Sequence, residues 1–449
     1  MKLGIRSAPR RSQLFIEQGL SIMTTLSAGS DSVNVKKVGG TSPWTKAGRN
    51  AAIASVLGWT FDAFDFFLLV FVLGSVAKEF GTSITEVTFA IVLTLATRPI
   101  GAFIFGRAAD HYGRRPVLIV VIVLYSILEL LSAFSPNLVF LLCVRALFGI
   151  ALGGVWGVGS ALTMESIPAS ARGFVSGLLQ AGYPAGYLLA ALAYAFLFPM
   201  LGWRGLFMVG ALPALLSIFV IRSVEESPSW KLARGQKKAS GWAVVKEHWG
   251  LAIYAVLLMT AFNFFSHSTG DLYPTFLEKD LGFSPSTVGT IAVVYNIGAI
   301  LGTVGFGAFS ERIGRRRAIV IAALLSLPII PLWAFSSSPV LLAVGAFLMQ
   351  FMVQGAWGVI PAHLNELSPA EARATFPGVV YQLGNLFAAV NTTLQAGIAA
   401  HFHNDLSIAL AGVAGFVAIA VALLTAFGVE AKGVRLQSSG IHAGHQKPE

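Results

Sequence analysis

Three polar side chains share one face of an otherwise apolar stretch just past the middle of the chain. Asn263, His267 and Asp271 follow one another at intervals of four residues, so a helix aligns them in a single stripe. A histidine can change its charge near neutral pH, and a carboxylate one turn away can orient its ring. The stripe therefore predicts a site that takes up and releases a proton. A histidine that only satisfies the hydrogen bonds of its neighbours fits the spacing equally well.

Further charged residues interrupt the apolar stretches nearer the amino terminus. Asp62 and Asp65 are three residues apart, so a helix puts both carboxylates on one face, where mutual repulsion helps one of them hold a proton. Arg98 offers a planar guanidinium that suits the carboxylate of an organic anion. Alternatively, both acids are permanently ionised in a structural cluster, or Arg98 is bound to one of them in a salt bridge. Glu129 and Arg145 are expected to pair.

Membrane-spanning helices must position these residues. Hydrophobic residues make up 55% of the 449-residue chain and charged residues 12%, which is too little polar surface for a water-soluble body of this length. Apolar runs of ~20 residues, enough to cross ~30 Å of hydrocarbon, recur about twelve times. Their continuity excludes the alternating strands of a barrel. We predict an all-α integral membrane protein with twelve transmembrane helices, the seventh near 250–275 and the eleventh near 373–400.

A repeat divides the chain into two similar parts. The segment 106–115 returns as 307–316, and the segment 165–172 returns as 366–373, both at an offset of 201 residues. Such a repeat predicts two six-helix halves, related by pseudo-symmetry, that face each other across a central pathway. The expected domains are a basic tail over 1–50, the two halves over 51–222 and 249–427, a linker over 223–248, and a second tail over 428–449.

The repeated segments combine acids, glycines and clustered arginines in short loops between helices. Glycines permit a tight turn at the membrane edge, and acid–arginine pairs can form in one conformation and break in another. The loops therefore predict an inner gate, in which the acid and the arginine of 165–172, and likewise of 366–373, pair with each other. Anchoring of basic loops is the simpler alternative. The expected gate residues are Asp110, Arg114, Arg115, Glu165, Arg172, Glu311, Arg315, Arg316, Glu366 and Arg373.

The distribution of basic residues predicts the orientation in the membrane. The net charge is +10, and lysines and arginines concentrate in the tails and in the loops on one side, with only Lys78, Arg204 and Lys279 on the other. This positive-inside pattern assigns both termini and the loop 223–248 to the cytoplasm, in a cell (inner) membrane. It explains the basic residues without a nucleic acid partner.

Several functional classes are excluded by what the sequence lacks. Cys143 is the only cysteine, which excludes an intramolecular disulfide and a multi-cysteine metal site. The sequence has no phosphate-binding loop with a Gly-Lys-Ser or Gly-Lys-Thr motif, and no nucleophile–base or metal constellation. We therefore expect a protein that is not an enzyme, needs no cofactor or metal, functions as a monomer and draws its energy from an ion gradient.

The stretch 263–275 resembles a known signature. It reads Asn-Phe-Phe-Ser-His-Ser-Thr-Gly-Asp-Leu-Tyr-Pro-Thr and is similar to the seventh-helix motif of fungal lactate permeases, in the sialate/lactate:proton symporter branch of the major facilitator superfamily. That motif has glutamine where this chain has Gly270. The segment 106–115 is similar to the loop signature of the superfamily, and the likeness extends over about residues 50–427.

The resemblance implies a proton-coupled symporter of a small monocarboxylate such as lactate or pyruvate. Sialic acid is the alternative substrate, and a transporter-like nutrient sensor is the alternative of a different class. Proton coupling would involve Asp62, Asp65, His267 and Asp271. The expected partners are the small carboxylate, the proton and the lipid bilayer. The substrate-binding residues would be Arg98, Asn263, His267, Gln180, Tyr381, Gln382 and Asn385, although polar residues of the partner helices can serve interhelical hydrogen bonding alone.

Overall fold

A computed structural model describes residues 44–234, 246–434 and 436 of the chain, and the regular elements within these ranges are all helical. The predicted tails lie largely outside the described residues, although α1 already begins at Lys46. The first half contains α1 (Lys46–Phe80), α2 (Ile84–Tyr112), α3 (Arg114–Ala133), α4 (Leu138–Ser166), α5 (Arg172–Gly210) and α6 (Ala214–Ser223), and α7 (Pro228–Ala233) follows in the linker. The second half contains α8 (Trp249–Gly270), α9 (Tyr273–Lys279), α10 (Pro285–Ile313), α11 (Arg315–Ser326), α12 (Ile330–Ala334), α13 (Pro339–Leu367), α14 (Thr375–Ala388), α15 (Asn391–His401) and α16 (Leu406–Ala426).

The helices supply the twelve predicted crossings. Ten continuous helical segments of the described chain are long and apolar enough to span a membrane. One of them, Ala169–Ser223, has 55 residues and changes direction at Gly202, where φ is 64° and ψ is −175°, so it crosses twice. The helix pair α14 and α15, interrupted at Ala389 and Val390, provides the remaining crossing. The predicted fold of two six-helix halves is confirmed.

Local sequence signals explain where several helices begin. Before α2, the Ser83 hydroxyl accepts a hydrogen bond from the Glu86 amide at 3.2 Å, and the Glu86 carboxylate accepts one from the Ser83 amide at 2.8 Å. This reciprocal cap satisfies two backbone donors that the first turn leaves free. Asn137 caps α4 in a similar way, because its side chain accepts from the Phe140 amide at 2.9 Å. The caps fix the ends of the helices that carry Arg98 and Arg145.

Apolar side chains cover the outside of the helix bundle as well as its interior. Phe148 and Phe207 are fully buried between helices, whereas Phe196 and Phe416 leave 70% and 74% of their surfaces exposed. Exposed apolar surface is unfavourable in water by about 25 cal/mol per Å². In hydrocarbon this cost disappears, and the helices satisfy their own backbone hydrogen bonds. The chain is a multi-pass membrane protein.

Two glycines turn the chain sharply where the repeated loops lie. Gly113 joins α2 to α3 with φ of 115°, and Gly314 joins α10 to α11 with φ of 100°. Residues with a side chain rarely adopt these angles. We call the end of the bundle that carries these two turns the closed end, for the contacts described below. The opposite end carries the turns at Gly81 and Gly282.

Candidate functional site

Arg98 and Asp62 form a buried ion pair in the first half. Arg98 Nη2, midway along α2, lies 2.8 Å from Asp62 Oδ1 of α1, and only 4% and 1% of the two side chains are exposed. The Phe66 ring centroid lies 5.5 Å from the guanidinium carbon. Within the described part of the chain, Arg98 Nε and Asp62 Oδ2 have no hydrogen-bond partner. The pair therefore retains donors and acceptors for a further group.

His267 lies at the opposite wall, where the seventh crossing is interrupted. The helix α8 ends at Gly270, and α9 begins at Tyr273. His267 Nδ1 lies 3.1 Å from Asp271 Oδ2, and His267 Nε2 lies 3.1 Å from Asn385 Oδ1 of α14. The side chains of His267 and Asp271 are 30% and 40% exposed, so water reaches both. A broken transmembrane helix with polar side chains at the break is the usual setting of a transport site.

One tyrosine connects the two walls. The Tyr381 ring of α14 lies 6.1 Å from the Trp59 ring of α1 between centroids. Asn385, which contacts His267, follows Tyr381 by one helical turn of α14. The helix that carries Asp62 and the helix that contacts His267 therefore meet at Tyr381.

Aromatic side chains pack beneath this region, toward the closed end. The Trp59 ring, one helical turn before Asp62, stacks on Tyr183 at 5.7 Å between centroids. The Tyr381 ring lies 4.8 Å from Trp156 and 5.6 Å from Trp357. Trp59 and Trp156 are almost fully buried. The aromatic layer thus forms a dense floor that joins helices of both halves.

The remaining predicted binding residues do not lie together in one place. Asn263 is buried and donates from its side chain to the Met259 carbonyl of its own helix at 2.7 Å. The Gln180 side chain accepts from Trp156 Nε1 at 3.3 Å and so belongs to the aromatic floor. Gln382 is 1% exposed, and neither atom of its amide has a hydrogen-bond partner among the residues described. Within the described part of the chain, Asn385 is the one member of these predicted binding residues whose side chain has a hydrogen bond to His267.

Asp65 lies apart from Asp62, in a second buried cluster of the first half. It is fully buried, and its two oxygens have no hydrogen-bond partner within the described ranges. Arg145 Nη1 and Glu129 Oε2 form the predicted pair at 3.0 Å. A Cβ atom at Gly210 would lie 2.9 Å from both Asp65 Oδ1 and Glu129 Cγ, so the two carboxyl groups flank this glycine. Asp65 therefore lies beside the carboxyl group that Arg145 binds.

The predicted gate residues of the first half form a buried triad at the closed end. Arg114 Nη2 lies 3.1 Å from Asp110 Oδ1 and 3.0 Å from Glu165 Oε1. All three side chains are 5% exposed or less. The triad joins the end of α2 to the end of α4, because Arg114 begins α3 between them.

The second half repeats the triad with the residues 201 positions further on. Arg315 Nη2 lies 3.0 Å from Glu311 Oε1, and Arg315 Nε lies 3.0 Å from Glu366 Oε2. The Arg315 side chain is fully buried. The repeat found in the sequence therefore corresponds to a repeat of the same ion-pair geometry.

Acids of the triads also bind across the interface between the halves. The Asp110 carboxylate accepts from the Ala374 amide at 3.0 Å and from the Thr375 hydroxyl at 2.6 Å. In the other direction, the Glu311 carboxylate accepts from the Gly173 amide. These bonds tie α2 to the start of α14 and α10 to the start of α5. They hold this end of the molecule closed.

The predicted pairing within the loops 165–172 and 366–373 is wrong. Glu165 pairs with Arg114, as described, and Arg172 reaches across to Glu366 of the other half at 3.6 Å. Arg373 donates to the main-chain carbonyl of Leu436. Arg172 also donates from Nε to the Met164 carbonyl at 3.1 Å, so it lies close to its own loop and still pairs with the acid of the other half.

Glycines let the halves approach to backbone contact at the closed end. A Cβ atom at Gly177 of α5 would lie 2.3 Å from the Thr303 carbonyl oxygen of α10, and one at Gly157 of α4 would lie 2.8 Å from the Gly378 Cα atom of α14. No side chain fits at such distances. The hydrogen bonds that join the halves within the described ranges lie at this end, whereas His267 and Asp271 are accessible from the other.

A comparison with protein families identifies the chain. The model of the Major Facilitator Superfamily matches residues 56–273 and 256–444, which together cover nearly all of the sequence. The chain belongs to the Major Facilitator Superfamily. Facilitators are transporters rather than enzymes, and the two matched segments overlap at the seventh crossing, over residues 256–273.

Similar curated proteins include other transporters of this superfamily. The "Carboxylic acid transporter protein homolog" of Saccharomyces cerevisiae is 33% identical over 76% of this chain, a match that spans only 60% of the yeast protein. The "Sialic acid transporter NanX" of Escherichia coli is 28% identical over 86% of this chain and 96% of its own. The "Cis,cis-muconate transport protein" of Acinetobacter baylyi is 26% identical over 82% of this chain and 91% of its own.

Solved structures confirm the facilitator fold. The proton:xylose symporter XylE bound to 6-bromo-6-deoxy-D-glucose superposes with a TM-score of 0.73 at 19% identity, covering 88% of this chain and 98% of the other. The human organic anion transporter MFSD10 superposes with a TM-score of 0.66 at 18% identity, covering 84% and 99%. At these identities the likeness concerns the fold alone.

The facilitator has one pair of functional residues that sequence reasoning missed. Glu226, after α6, accepts from the amides of Arg114 and Arg115 at 3.0 and 3.1 Å, and Glu430, after α16, accepts from those of Arg315 and Arg316 at 3.2 and 3.0 Å. Each carboxylate caps the amino terminus of a helix, where a negative charge is favourable. A spacing of 204 residues between the two acids was a detectable signal. The side chains of Arg115 and Arg316 donate to carbonyls of α6 and α16 instead of joining the triads.

Proposed function

We propose that this facilitator moves a small monocarboxylate, such as lactate or pyruvate, together with a proton by alternating access. The observation that carries the proposal is the buried Arg98–Asp62 ion pair inside the membrane, which retains unpartnered donor and acceptor atoms among the described residues. Arg98 keeps an unpartnered Nε within the described residues, and a guanidinium binds carboxylates through two parallel hydrogen bonds. The yeast and E. coli relatives, named for carboxylic acid and for sialic acid, support an anionic substrate of this class.

Competition for Arg98 explains how anion and proton are coupled. While Asp62 is ionised, it occupies the guanidinium at 2.8 Å, and an incoming carboxylate must displace it. A proton on Asp62 removes that competitor, because a neutral carboxyl group binds a cation far more weakly. The anion then binds Arg98 only when the proton is also present. One proton and one monoanion carry no net charge, so transport follows the pH gradient and not the membrane potential.

His267 serves as the second binding group on the opposite wall. Both ring nitrogens face oxygen acceptors, Asp271 on one side and Asn385 on the other. A ring that carries two N–H groups has both of them satisfied there, whereas a neutral ring satisfies one unless the Asn385 amide turns over. Thr392 donates to Asp271 at 3.3 Å and helps to orient this acid. His267 and Asp271 therefore act as proton-coupling residues that respond to the substrate.

Asp65 provides a further proton-holding group away from the substrate. It lies near Glu129, which binds the Arg145 guanidinium, and all three side chains are buried. Two ionised carboxylates beside one guanidinium leave an excess negative charge, which is costly in a buried site. A proton within this cluster restores neutrality. Movement of this proton would link α1, α3 and α4 to the conformational change.

Sialic acid is the second candidate substrate, and Gly270 favours it. A Cβ atom at Gly270 would meet nothing nearer than Gln350 Nε2, at 4.0 Å. The position that holds glutamine in the resembled motif is thus open, and it lies next to Asp271. A solute larger than lactate has room there. A transporter-like sensor would bind its ligand at the same place without moving it.

The proposed cellular setting is the inner membrane, with a single chain as the functional unit. We assign the closed end and both termini to the cytoplasm, because basic residues concentrate in the loops on that side. The described conformation then faces outward, with Asp271 and His267 open to the exterior. The gate triads Asp110–Arg114–Glu165 and Glu311–Arg315–Glu366 would break or rearrange when the inner end opens.

Uptake of radiolabelled lactate, pyruvate and sialate into proteoliposomes tests the proposal. A pH gradient, acidic outside, is imposed with and without a membrane potential set by potassium and valinomycin. We expect the pH gradient to drive accumulation of one of these anions and the potential to change it little. Accumulation that follows the potential would contradict neutral cotransport. Binding of an anion without any uptake would instead support the sensor.

A further inference from the structure

The segment that follows α16 lies in a cleft between the halves at the closed end. After a turn at Gly433, where φ is 83°, the chain reaches Leu436, whose surface is 1% exposed. Its neighbours belong to both halves. They are Ala52 of α1, Met164 of α4, Ile167 in the following loop, Val175 of α5 and Ala362 of α13.

Three side chains hold the main chain of this segment. Arg172 of the first half donates from Nη1 to the Val434 carbonyl at 2.7 Å, and Arg373 of the second half donates to the Leu436 carbonyl. Ser229, in the linker helix α7, donates to the same Leu436 carbonyl at 2.8 Å. The segment is therefore bound by the two halves and by the linker at once.

We propose that this cleft is a binding site for the part of the chain that follows α16, described at residues 431–434 and 436, and that this segment latches the closed end. The cleft fits a short turn of the chain with one apolar anchor. The pocket takes the side chain of Leu436, and the donors above take backbone carbonyls. Opening of this end separates Arg172 from Arg373, so the segment must leave one of them first. The latch therefore favours the conformation that is closed here.

Substitution of a single side chain, that of Leu436, tests the latch and leaves the gate residues unchanged. In full-length protein in lipid nanodiscs, Cys143→Ser removes the native thiol, and Ser176→Cys introduces a reporter between the halves. Ser176 is fully buried, and its hydroxyl accepts from the Ala362 amide at 3.0 Å, so a thiol there reacts with a water-soluble maleimide only when the closed end opens. A carboxylate at 436 would lose its hydration in the apolar pocket that holds the Leu436 side chain. We expect Leu436→Asp to speed labelling by about tenfold or more.

The matched control is Val434→Asp, two residues earlier. The Val434 side chain is 43% exposed, and only its carbonyl is used, so we expect labelling within about twofold of the parent, an energy change of the size seen for surface substitutions. Equal labelling of Leu436→Asp and the parent would overturn the proposal. No substrate is needed, so the result is independent of the proposed transport function.

A second experiment is used if the purified Leu436→Asp protein does not elute as a single species, as the parent protein does. The chain is ended after Lys432, and a synthetic peptide of residues 430–440 is added in excess. Deletion should speed labelling of the reporter at 176, and the peptide should slow it again. A scrambled peptide of the same composition should have no effect. Labelling that is unchanged by deletion, or that does not respond to the peptide, would also overturn the proposal.

Discussion

Neutralising Asp62 gives the sharpest test of the proposed competition for Arg98. In Asp62→Asn the side chain keeps its shape and loses its charge. At about 4 Å between charge centres and an effective dielectric constant of about 20, the attraction between Arg98 and Asp62 is about 4 kcal/mol. An anion that displaces the ionised carboxylate must overcome part of this energy, whereas the amide offers much weaker competition. Since about 1.4 kcal/mol corresponds to a tenfold change in affinity, one third of the attraction is enough for a tenfold effect.

Calorimetric titration with the transported anion, at several pH values, measures this effect in purified protein. The affinity of the parent should rise on acidification, as Asp62 becomes protonated. The affinity of Asp62→Asn should be at least about tenfold higher at alkaline pH and should depend on pH less than that of the parent, because only His267 and Asp271 still respond to the proton there. The variant should exchange labelled for unlabelled anion but fail to accumulate it, because binding no longer requires the proton.

Glu79→Gln is the matched control for Asp62→Asn, since it replaces an acid by its amide in the same helix. Glu79 pairs with Arg204 at 2.8 Å, but the two side chains are 46% and 33% exposed. Such pairs contribute about 0–1 kcal/mol, so the control should bind the anion like the parent. Weaker binding of Asp62→Asn at every pH, or an unchanged pH dependence, would refute the competition between Asp62 and the substrate.

Three further substitutions test the other parts of the site and the closed end. His267→Ala should lower uptake at least about tenfold with a normal amount of protein in the membrane, because the proposed second binding group between Asp271 and Asn385 is lost; normal uptake in vesicles would remove the histidine from the mechanism. Gly177→Val should prevent closure, since a Cβ there meets a carbonyl at 2.3 Å, whereas Gly74→Val meets nothing within 4 Å; spin-label distances between the halves separate the two variants. Arg145→Ala should lower the free energy of unfolding by about 3–5 kcal/mol, and a thermal midpoint equal to that of the parent would contradict this.

Much of the architecture follows from the sequence because membrane constraints are strict. Apolar runs of the required length predicted the crossings, and the offset of 201 residues predicted two equivalent halves, whose triads agree within 0.1 Å in their ion-pair distances. The break within the eleventh crossing, at Ala389, could not be predicted from hydropathy. A helix that bends within a bilayer has nearly the same composition as one that does not, and the packing of neighbouring helices decides the bend.

Side-chain partners were harder to predict than side-chain positions. Residues three apart on a helix are neighbours, yet they differ by about 60° around its axis. In α1 this rotation sends Asp62 to Arg98 and Asp65 toward Glu129 and Arg145. The sequence predicted all of these charges in the membrane, but the choice of partner depends on which helix lies on either side of α1. The contacts of Val434 and Leu436 left no signal, because the arginines bind carbonyls that every residue possesses.

The glycine contacts at the closed end have a consequence for the speed of the conformational change. Where Gly177 faces the Thr303 carbonyl and Gly157 faces Gly378, main chain lies directly against main chain. A glycine has no rotamers, so these surfaces part without releasing side-chain entropy and meet again without losing it. The two halves therefore meet through glycine surfaces that are held together by a few hydrogen bonds and ion pairs. Each transport cycle requires those bonds to break and to form again, while the glycine surfaces need no side-chain rearrangement.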